Sequence, residues 1–435
     1  MNKFSKYNHF IENGDNCLLY NIARDEVLIL QPQLADLIQQ HLQDVDRIGE
    51  IHPPLYHELK KKGYIVPQTS DEVKELISRW EKEDHDDTQF TIMINPTLEC
   101  NLKCWYCYEK HEKGTFMSDE IITRLKKFIY RHTHNGKLKD LHLSFFGGEP
   151  FMKFHYISWP ILSYAKTMCD EQHINLSLHF TTNGTIISEP ILRLLKSLNC
   201  SIQFQITIDG SKVHHDQSRK SLSGNPTFAL VVKHIKQLLK DHYSVNCRLN
   251  YTANTIYSFA EISKDFEALN QEERQYLTFT FQQIWQDQEH HSLSKDEMKV
   301  IDWLKEQGFV TNLPSKYISR RCYADFDNQV LVNYNGSLYK CTARDFKPDN
   351  QEGLLNEDGD LVYNSIYRQR MSEKYGNEYC QQCMIYPLCH GGCSQSIMEH
   401  GGGADNVCMF GYTEEDKHTL VRERLKHQLI TLNHL

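Results

Sequence analysis

Between residues 90 and 286 the chain alternates two hydrophobic patterns. Phe90, Ile92 and Ile94 are separated by single residues, the period of a strand with one face against a core. Similar short apolar runs predict five further strands at 141–146, 176–181, 202–208, 245–252 and 277–284. Helical stripes lie between them. Ile121, Ile122, Leu125, Phe128 and Ile129 mark one, and Phe228, Val231, Val232, Ile235 and Leu238 another. Ser188 with Pro190 just after it predicts a further helix start. Strand–helix alternation of this length predicts a parallel sheet with helices outside it. Six units predict an α/β fold, a partial (β/α)6 TIM-like barrel rather than a closed eightfold one. Ligand chemistry then belongs at the C-terminal ends of the strands.

The flanking segments read differently. Residues 10–12, 17–21 and 26–30 predict short strands, with Asn13-Gly14 and Arg24-Asp25 supplying turn chemistry. Leu34, Leu37, Ile38 and Leu42 then follow helical spacing, as do Leu55, Leu59 and Tyr64. This is the pattern of a small winged-helix-like α+β domain over 1–80. Residues 81–87 hold no apolar side chain and predict a solvated linker or a fraying helix end. The alternation stops near Ser315. Gly, Tyr and Cys dominate from Cys322 to Tyr412, so this segment is expected to need metal to hold its shape. Residues 413–434 predict a terminal helix with Leu420, Leu425 and Leu429 on one side. The expected division is therefore 1–80, 88–312, 315–412 and 413–435.

Composition narrows the function. A chain of 435 residues exceeds what one core supports, and 40% apolar with 24% charged residues is globular usage. The net charge of −9 gives no general attraction for phosphate backbones, so no nucleic-acid partner is expected. No apolar run approaches the ~20 residues that span a bilayer, so no membrane partner is expected. Residues 1–9 are polar and lack an apolar signal core, which predicts a cytoplasmic protein.

There are fourteen cysteines. Without an export signal they point to metal rather than to disulfides. Cys17, Cys169, Cys200 and Cys247 stand alone and read as small buried apolar side chains. Cys100, Cys104 and Cys107 form a tight trio at the end of the first predicted strand. Three thiolates at this spacing can hold three corners of a cubane, leaving one iron open to a ligand. Structural zinc, the alternative, asks for four closed ligands.

The C-x3-C-x2-C trio resembles the radical S-adenosylmethionine (SAM) enzymes. In that family the open iron of a [4Fe-4S] cluster chelates SAM, and reduction yields a 5′-deoxyadenosyl radical. Tyr106 matches the aromatic residue that the family places near the adenine. Gly147-Gly148-Glu149, ending the second strand, resembles the motif that holds the SAM amino group. Thr182-Asn183-Gly184 and Asp209-Gly210 resemble motifs at the next two strand ends. In the His214-His215-Asp216 segment, Arg219 matches an arginine that reaches SAM. His214 and His215 themselves read as ordinary surface histidines.

Cys380-x2-Cys383-x5-Cys389-x3-Cys393 followed by Cys408, with Cys322 and Cys341 upstream, resembles the SPASM extension of the same enzymes. That resemblance implies a Cys-rich iron–sulfur domain with two auxiliary [4Fe-4S] clusters, three clusters in all. One would be held by Cys380, Cys383, Cys389 and Cys408. The other would be held by Cys322, Cys341 and Cys393, with an open iron or a non-cysteine fourth ligand. Zinc ribbons are the alternative for these thiols.

Most SPASM enzymes modify peptides or proteins, so the resemblance implies an oxidoreductase with a precursor-peptide substrate and an electron donor such as flavodoxin or ferredoxin. Residues 1–80 resemble the PqqD-like recognition element, which binds a leader peptide by strand addition; a structural cap on the barrel is the alternative. Together these imply a maturase of ribosomally made peptides that crosslinks, oxidises or epimerises its substrate. Two other readings compete. One is an anaerobic sulfatase-maturating, formylglycine-generating enzyme, although Thr342 stands where those enzymes carry an aspartate and Asp345 lies three residues on. The other is a non-enzymatic zinc-binding interaction protein.

Overall fold

Six strands run parallel in one sheet: Gln89–Ile94, Asp140–Phe145, Asn175–Thr182, Ser201–Ile208, Ser244–Tyr251 and Leu277–Gln283, each paired with the next. They match the six predicted strands to within a residue or two. The structure, a computed structural model, describes residues 1–287, 294–312, 321–400, 408 and 410–432. Helices Asp119–Thr133, Ser158–Glu171, Glu189–Ser197 and Phe228–Lys240 alternate with the strands. Ser188 stands at the predicted helix start with extended backbone, but its side chain makes no capping bond.

The sheet continues beyond the six strands at both edges. Val310–Thr311 pairs parallel with Leu277–Gln283. At the other edge Gln329–Val332 joins Gln89–Ile94 in parallel, and Ser337–Tyr339, Gly353–Leu355 and Leu361–Tyr363 follow as an antiparallel meander. The result is an eleven-stranded mixed sheet. Where the hydrophobic pattern predicts no further strands after 315, four are present. Gln329–Val332 is buried throughout, so its sequence lacks the period-two alternation of a half-buried strand.

The two faces of the six strands differ in chemistry. Leu141, Leu143, Phe145, Leu178, Phe180, Phe204, Val245, Cys247, Leu249 and Phe279 pack against the helices in one continuous core. The alternate residues form a polar ladder. His142 pairs with Ser177, Ser144 Oγ lies 3.2 Å from His179 Nδ1, and Thr280 Oγ1 donates to Asn246 Oδ1 at 2.7 Å. One face is therefore built for packing and the other for polar contact.

These strands and their helices form one compact unit, Asp86–Pro314 with Phe326–Arg368. The other unit comprises Met1–His85, Ser315–Asp325 and Gln369–Leu435. In it Asn8–Asn13, Asn16–Asn21 and Glu26–Leu30 form an antiparallel sheet in chain order. Asn2–Phe4 pairs with Ile65–Pro67. Helices Pro32–Gln40, Asp46–Ile51 and Pro53–Lys61 cover one face of the module through Leu19, Leu30, Ile38, Ile48, Leu55 and Leu59. Leu42 and Tyr64, expected on those helices, lie beyond their ends, and Tyr64 leads into the strand at Ile65. A second cluster joins Tyr7, Leu18, Tyr20, Leu76 and Trp80 to Cys380, Tyr386, Leu420 and Leu425. The last two residues belong to the terminal helix Glu414–Leu432, and the predicted end of that helix at 433–434 lies outside the described residues.

Of the two expectations for the acidic stretch, a solvated linker or a fraying helix end, it is the end of a helix, Glu72–Asp84, but Asp84 is fully buried rather than solvated. Arg321 pairs with Asp84 Oδ1, while Lys374 Nζ (3.1 Å) and the Tyr375 hydroxyl (2.8 Å) donate to Oδ2. Arg321 also donates to the Trp80 carbonyl at 2.8 Å and to Glu83 at 2.6 Å. Asp84 thus meets both Arg321 and Lys374 in a buried setting, with Glu83 as a second, more exposed partner of Arg321. Among the described residues no helix is long and apolar enough to cross a membrane. Asp84→Ala removes the buried carboxylate that Arg321 and Lys374 share and is expected to cost about 3–5 kcal/mol. Urea unfolding checks this; a loss under about 1 kcal/mol would mean the group behaves as a surface pair.

Candidate active site

The cysteine trio follows the first parallel strand. Cys104 ends a short strand, Leu102–Cys104, that pairs antiparallel with Arg219–Ser221 and sets Arg219 opposite Cys104. All three thiols are free. Cys100 Sγ accepts from Leu102 N at 3.5 Å and from Asn183 Nδ2 at 3.7 Å, and Cys107 accepts from the Glu109 backbone. Such donors stabilise sulfur that carries negative charge. Burial raises all three thiols, Cys100 and Cys107 to about 12, and Cys104 lies close enough to push both higher. Without a cation they stay protonated, so metal binding here must release protons. Among the described residues no three His, Cys, Asp or Glu side chains are arranged to hold a single metal ion.

The Gly147-Gly148-Glu149 turn packs directly on the loop before Cys100. Gly148 N donates to the Thr97 carbonyl at 3.0 Å and Glu149 N to the Glu99 carbonyl at 2.9 Å. Gly147 has φ of +100°, and a Cβ there would sit 2.6 Å from Thr97 O. A Cβ on Gly148 would sit 2.2 Å from Glu99 O. Neither position tolerates a side chain. Glu149 is fully buried, and its carboxyl accepts from Thr182 Oγ1 (2.8 Å), Phe151 N (3.1 Å) and Asn183 N (2.9 Å). Burial lifts it to about 7 despite these donors. The side chain therefore ties the glycine turn to the Thr182-Asn183 turn, which also touches Cys100.

Tyr106, Asp209, Arg219 and Asn250 form a third group. The Tyr106 hydroxyl donates to Asp209 Oδ1 at 2.9 Å and accepts from Arg219 Nη1 at 2.6 Å and Asn250 Nδ2 at 3.2 Å. Arg219 is buried, 3.8 Å from Asp209. Asp209 Oδ2 and Arg219 Nε are buried without partners. One wants a donor and the other an acceptor, and SAM offers both in its ammonium, hydroxyl and carboxylate groups. The thiol trio, the glycine turn and these two unmet atoms fit a cluster with SAM beside it.

A cavity of about 160 Å³ opens here, lined among others by Tyr106, Cys107, Glu109, Arg219, Arg248 and Trp285. Glu109 is buried, with Oε2 unpartnered, and burial reinforced by Asp345 lifts it to about 8. Asp345 Oδ1 accepts from Lys110 N at 3.5 Å, and the Tyr108 hydroxyl donates to the Thr342 carbonyl at 2.6 Å.

Residues 94–268 match the Radical SAM superfamily. The chain carries a radical SAM domain. Among curated proteins it is 23% identical to a cysteine-type anaerobic sulfatase-maturating enzyme of Clostridium novyi, over 73% of this chain and 91% of that protein. Two solved structures share the fold. Native anSMEcpe with bound AdoMet and Cp18Cys peptide superposes with a TM-score of 0.58 at 18% identity, over 80% of this chain and 99% of that one. Streptococcus suis SuiB bound to S-adenosylmethionine gives 0.50 at 16% identity, over 92% and 97%.

Other expectations resolve individually. His215 is no surface residue: it is fully buried, accepting from Asp209 N at 3.4 Å and facing Thr227 Oγ1 at 3.2 Å. Cys169 and Cys247 are buried in the sheet core, with Cys200 packed against it, and Cys17 packs on the core of the N-terminal module. Cys380, Cys383, Cys389 and Cys408 lie within electrostatic reach of one another. Asn377 Oδ1 caps the short helix at Cys380, and Cys393 stands at the start of helix Ser394–Glu399. Cys322 and Cys393 belong to the first-described residues' unit Met1–His85 and its partners in sequence, Cys341 to the parallel-sheet unit. Asn250, Arg248 and Glu109 were not legible as site residues. The one available signal was that Arg248 and Asn250 alternate with the apolar positions of their strand.

Gly148→Ala is expected to force the Glu99 carbonyl outward and cost about 1–3 kcal/mol. Urea unfolding measures it, and an unchanged midpoint would show that the cysteine loop is not braced by this turn.

Proposed function

We propose that this protein is a radical SAM enzyme that modifies residues of a peptide, with a ribosomally made precursor as the leading substrate class. The observation that carries the reading is the free thiol trio beside two buried unmet polar atoms, Asp209 Oδ2 and Arg219 Nε. Cys100, Cys104 and Cys107 would hold the catalytic cluster. When bound and reduced, that cluster supplies a 5′-deoxyadenosyl radical from SAM, which removes a hydrogen atom from the substrate.

The chain's own residues then bind, orient and exclude water. Gly147 and Gly148 let their turn close on the Thr97 and Glu99 carbonyls, Glu149 fixes it against Thr182 and Asn183, and the turn would hold the SAM amino group. Arg219 and Tyr106 would meet the polar groups of SAM. The auxiliary sets, Cys380 with Cys383, Cys389 and Cys408, and Cys322 with Cys341 and Cys393, would serve as one-electron stations. The leader would add a strand to the sheet of the N-terminal module, whose edge strands are Asn8–Asn13 and Glu26–Leu30. A flavodoxin or ferredoxin would supply the electron.

A second reading, sulfatase maturation, is favoured by the Clostridium novyi relative, most of whose length is matched. Thr342 in place of an aspartate weighs against it, whereas Asp345 beside Glu109 supplies a carboxyl nearby.

Cys104→Ala is expected to abolish reductant-driven deoxyadenosine formation and to lower iron from about twelve to about eight per chain. Retained deoxyadenosine would remove the trio from the chemistry. Zinc without sulfide in anaerobically purified protein would replace the enzyme reading with structural metal. Anaerobic incubation with SAM, reductant and a candidate precursor, read by mass, separates outcomes. Loss of two mass units means crosslinking or dehydrogenation, whereas a mass unchanged in H2O but raised by about one unit in D2O means epimerisation. Formylglycine in a sulfatase peptide would favour the second reading.

A further inference from the structure

The cavity beside Tyr106 has three charged side chains in its wall: Glu109, Arg219 and Arg248. Arg219 is answered by the Tyr106 hydroxyl and lies 3.8 Å from Asp209. Glu109 feels Asp345 rather than an arginine. Arg248 is different. Its Nε donates to Asn250 Oδ1 at 3.0 Å, and among the described residues it forms no ion pair. Burial opposes its charge, yet a guanidinium stays protonated in a protein.

Amides dominate the surroundings of Arg248: Gln205, Asn250, Gln282 and Gln286 share the cavity wall with it. Arg248 stands opposite Thr280 in register, on the polar face with Asn250 and Gln282. Asp209 is the carboxylate within its electrostatic reach, and Asp209 is already shared with Arg219 and the Tyr106 hydroxyl. Among the described residues no carboxylate is hydrogen-bonded to the Arg248 fork. A ligand carboxylate, which accepts two hydrogen bonds from an arginine fork, meets that deficit.

We propose that Arg248 forms a specificity subsite that selects the substrate segment by a carboxylate, an Asp or Glu side chain of the peptide entering the cavity. This rests on the reading that the cavity receives a peptide. Asn250 then joins the subsite to the SAM side of the cavity, since it also donates to the Tyr106 hydroxyl. A neutral isostere at the same peptide position leaves the guanidinium unpaired, which penalises it.

The test uses reconstituted holoenzyme saturated with SAM. The probes are N-acetyl-aspartate amide and N-acetyl-glutamate amide against their asparagine and glutamine counterparts, followed by calorimetry. Wild type is expected to bind an acidic probe at least about tenfold tighter than its neutral isostere. Arg248→Gln is expected to erase the preference, and Arg248→Lys to restore part of it. Equal affinities in wild type, undetectable binding of all four included, overturn the proposal. SAM affinity is measured on the same variants, and a tenfold loss in Arg248→Gln would reassign the guanidinium to the SAM carboxylate and overturn it as well. Deoxyadenosine formation by wild type without any probe reports separately on the radical reading, so the two can fail independently.

Discussion

The closest backbone approach in the site is the constraint on which the rest depends. Gly148 lies against the Glu99 carbonyl with no room for a methyl group, and two backbone hydrogen bonds run across the same junction. This fixes the start of the cysteine loop to the end of the second parallel strand. Glu149 extends the tie to the third strand end through Thr182 and Asn183, and Asn183 reaches Cys100 Sγ. The short pairing of Leu102–Cys104 with Arg219–Ser221 adds the segment after the fourth strand. Cys100 and Cys104 are thus placed by different strand ends, so a shift in one connection would misplace one corner of a cluster.

The polar face of the sheet follows from the need to keep a working surface beside that loop. A core on both faces, as in many parallel sheets, would fill the space with aliphatic side chains. Here serines, histidines, threonines and amides occupy alternate positions and satisfy one another across strands. Near the cavity that mutual satisfaction ends, with Arg248, Asp209 and Arg219 each retaining unmet capacity. Unmet polar groups inside a folded protein are costly, and here they gather where ligands are expected.

What could be read from the chain follows the same logic. The six parallel strands were legible because one face packs apolar residues with period two. The cysteine trio was legible because its three thiols lie within eight residues of one loop, so their spacing is local. The glycine turn was legible only after the trio had fixed which strand end it belonged to. Arg248 and Asn250 were not, because a polar residue alternating with an apolar one usually faces water. Asp84 misled for the opposite reason: it sits in an acidic run, and only Arg321 and Lys374, distant in sequence, reveal that it is buried. Gln329–Val332 escaped because a strand buried on both faces loses its alternation.

The unit that contains the N-terminal module carries a consequence for the Cys-rich segment. The module's sheet has one face on its own helices and the other on a cluster that includes Cys380, Tyr386 and the terminal helix. Trp80 packs against Tyr375, Tyr386 and His390, all from that segment. Removing the segment would expose Tyr7, Tyr20 and Trp80 together, so residues 1–85 cut from the chain would lose half of their sandwich. The short helices that carry Cys380, Cys389 and Cys393 are four to six residues long, below the length that holds itself in water. Tyr386, in the helix that carries Cys389, leans on Trp80, and metal at the thiols would brace all three. Under the proposed function, leader binding at the strand edges and cluster assembly would share one core, and loss of metal would be felt in the three-stranded sheet.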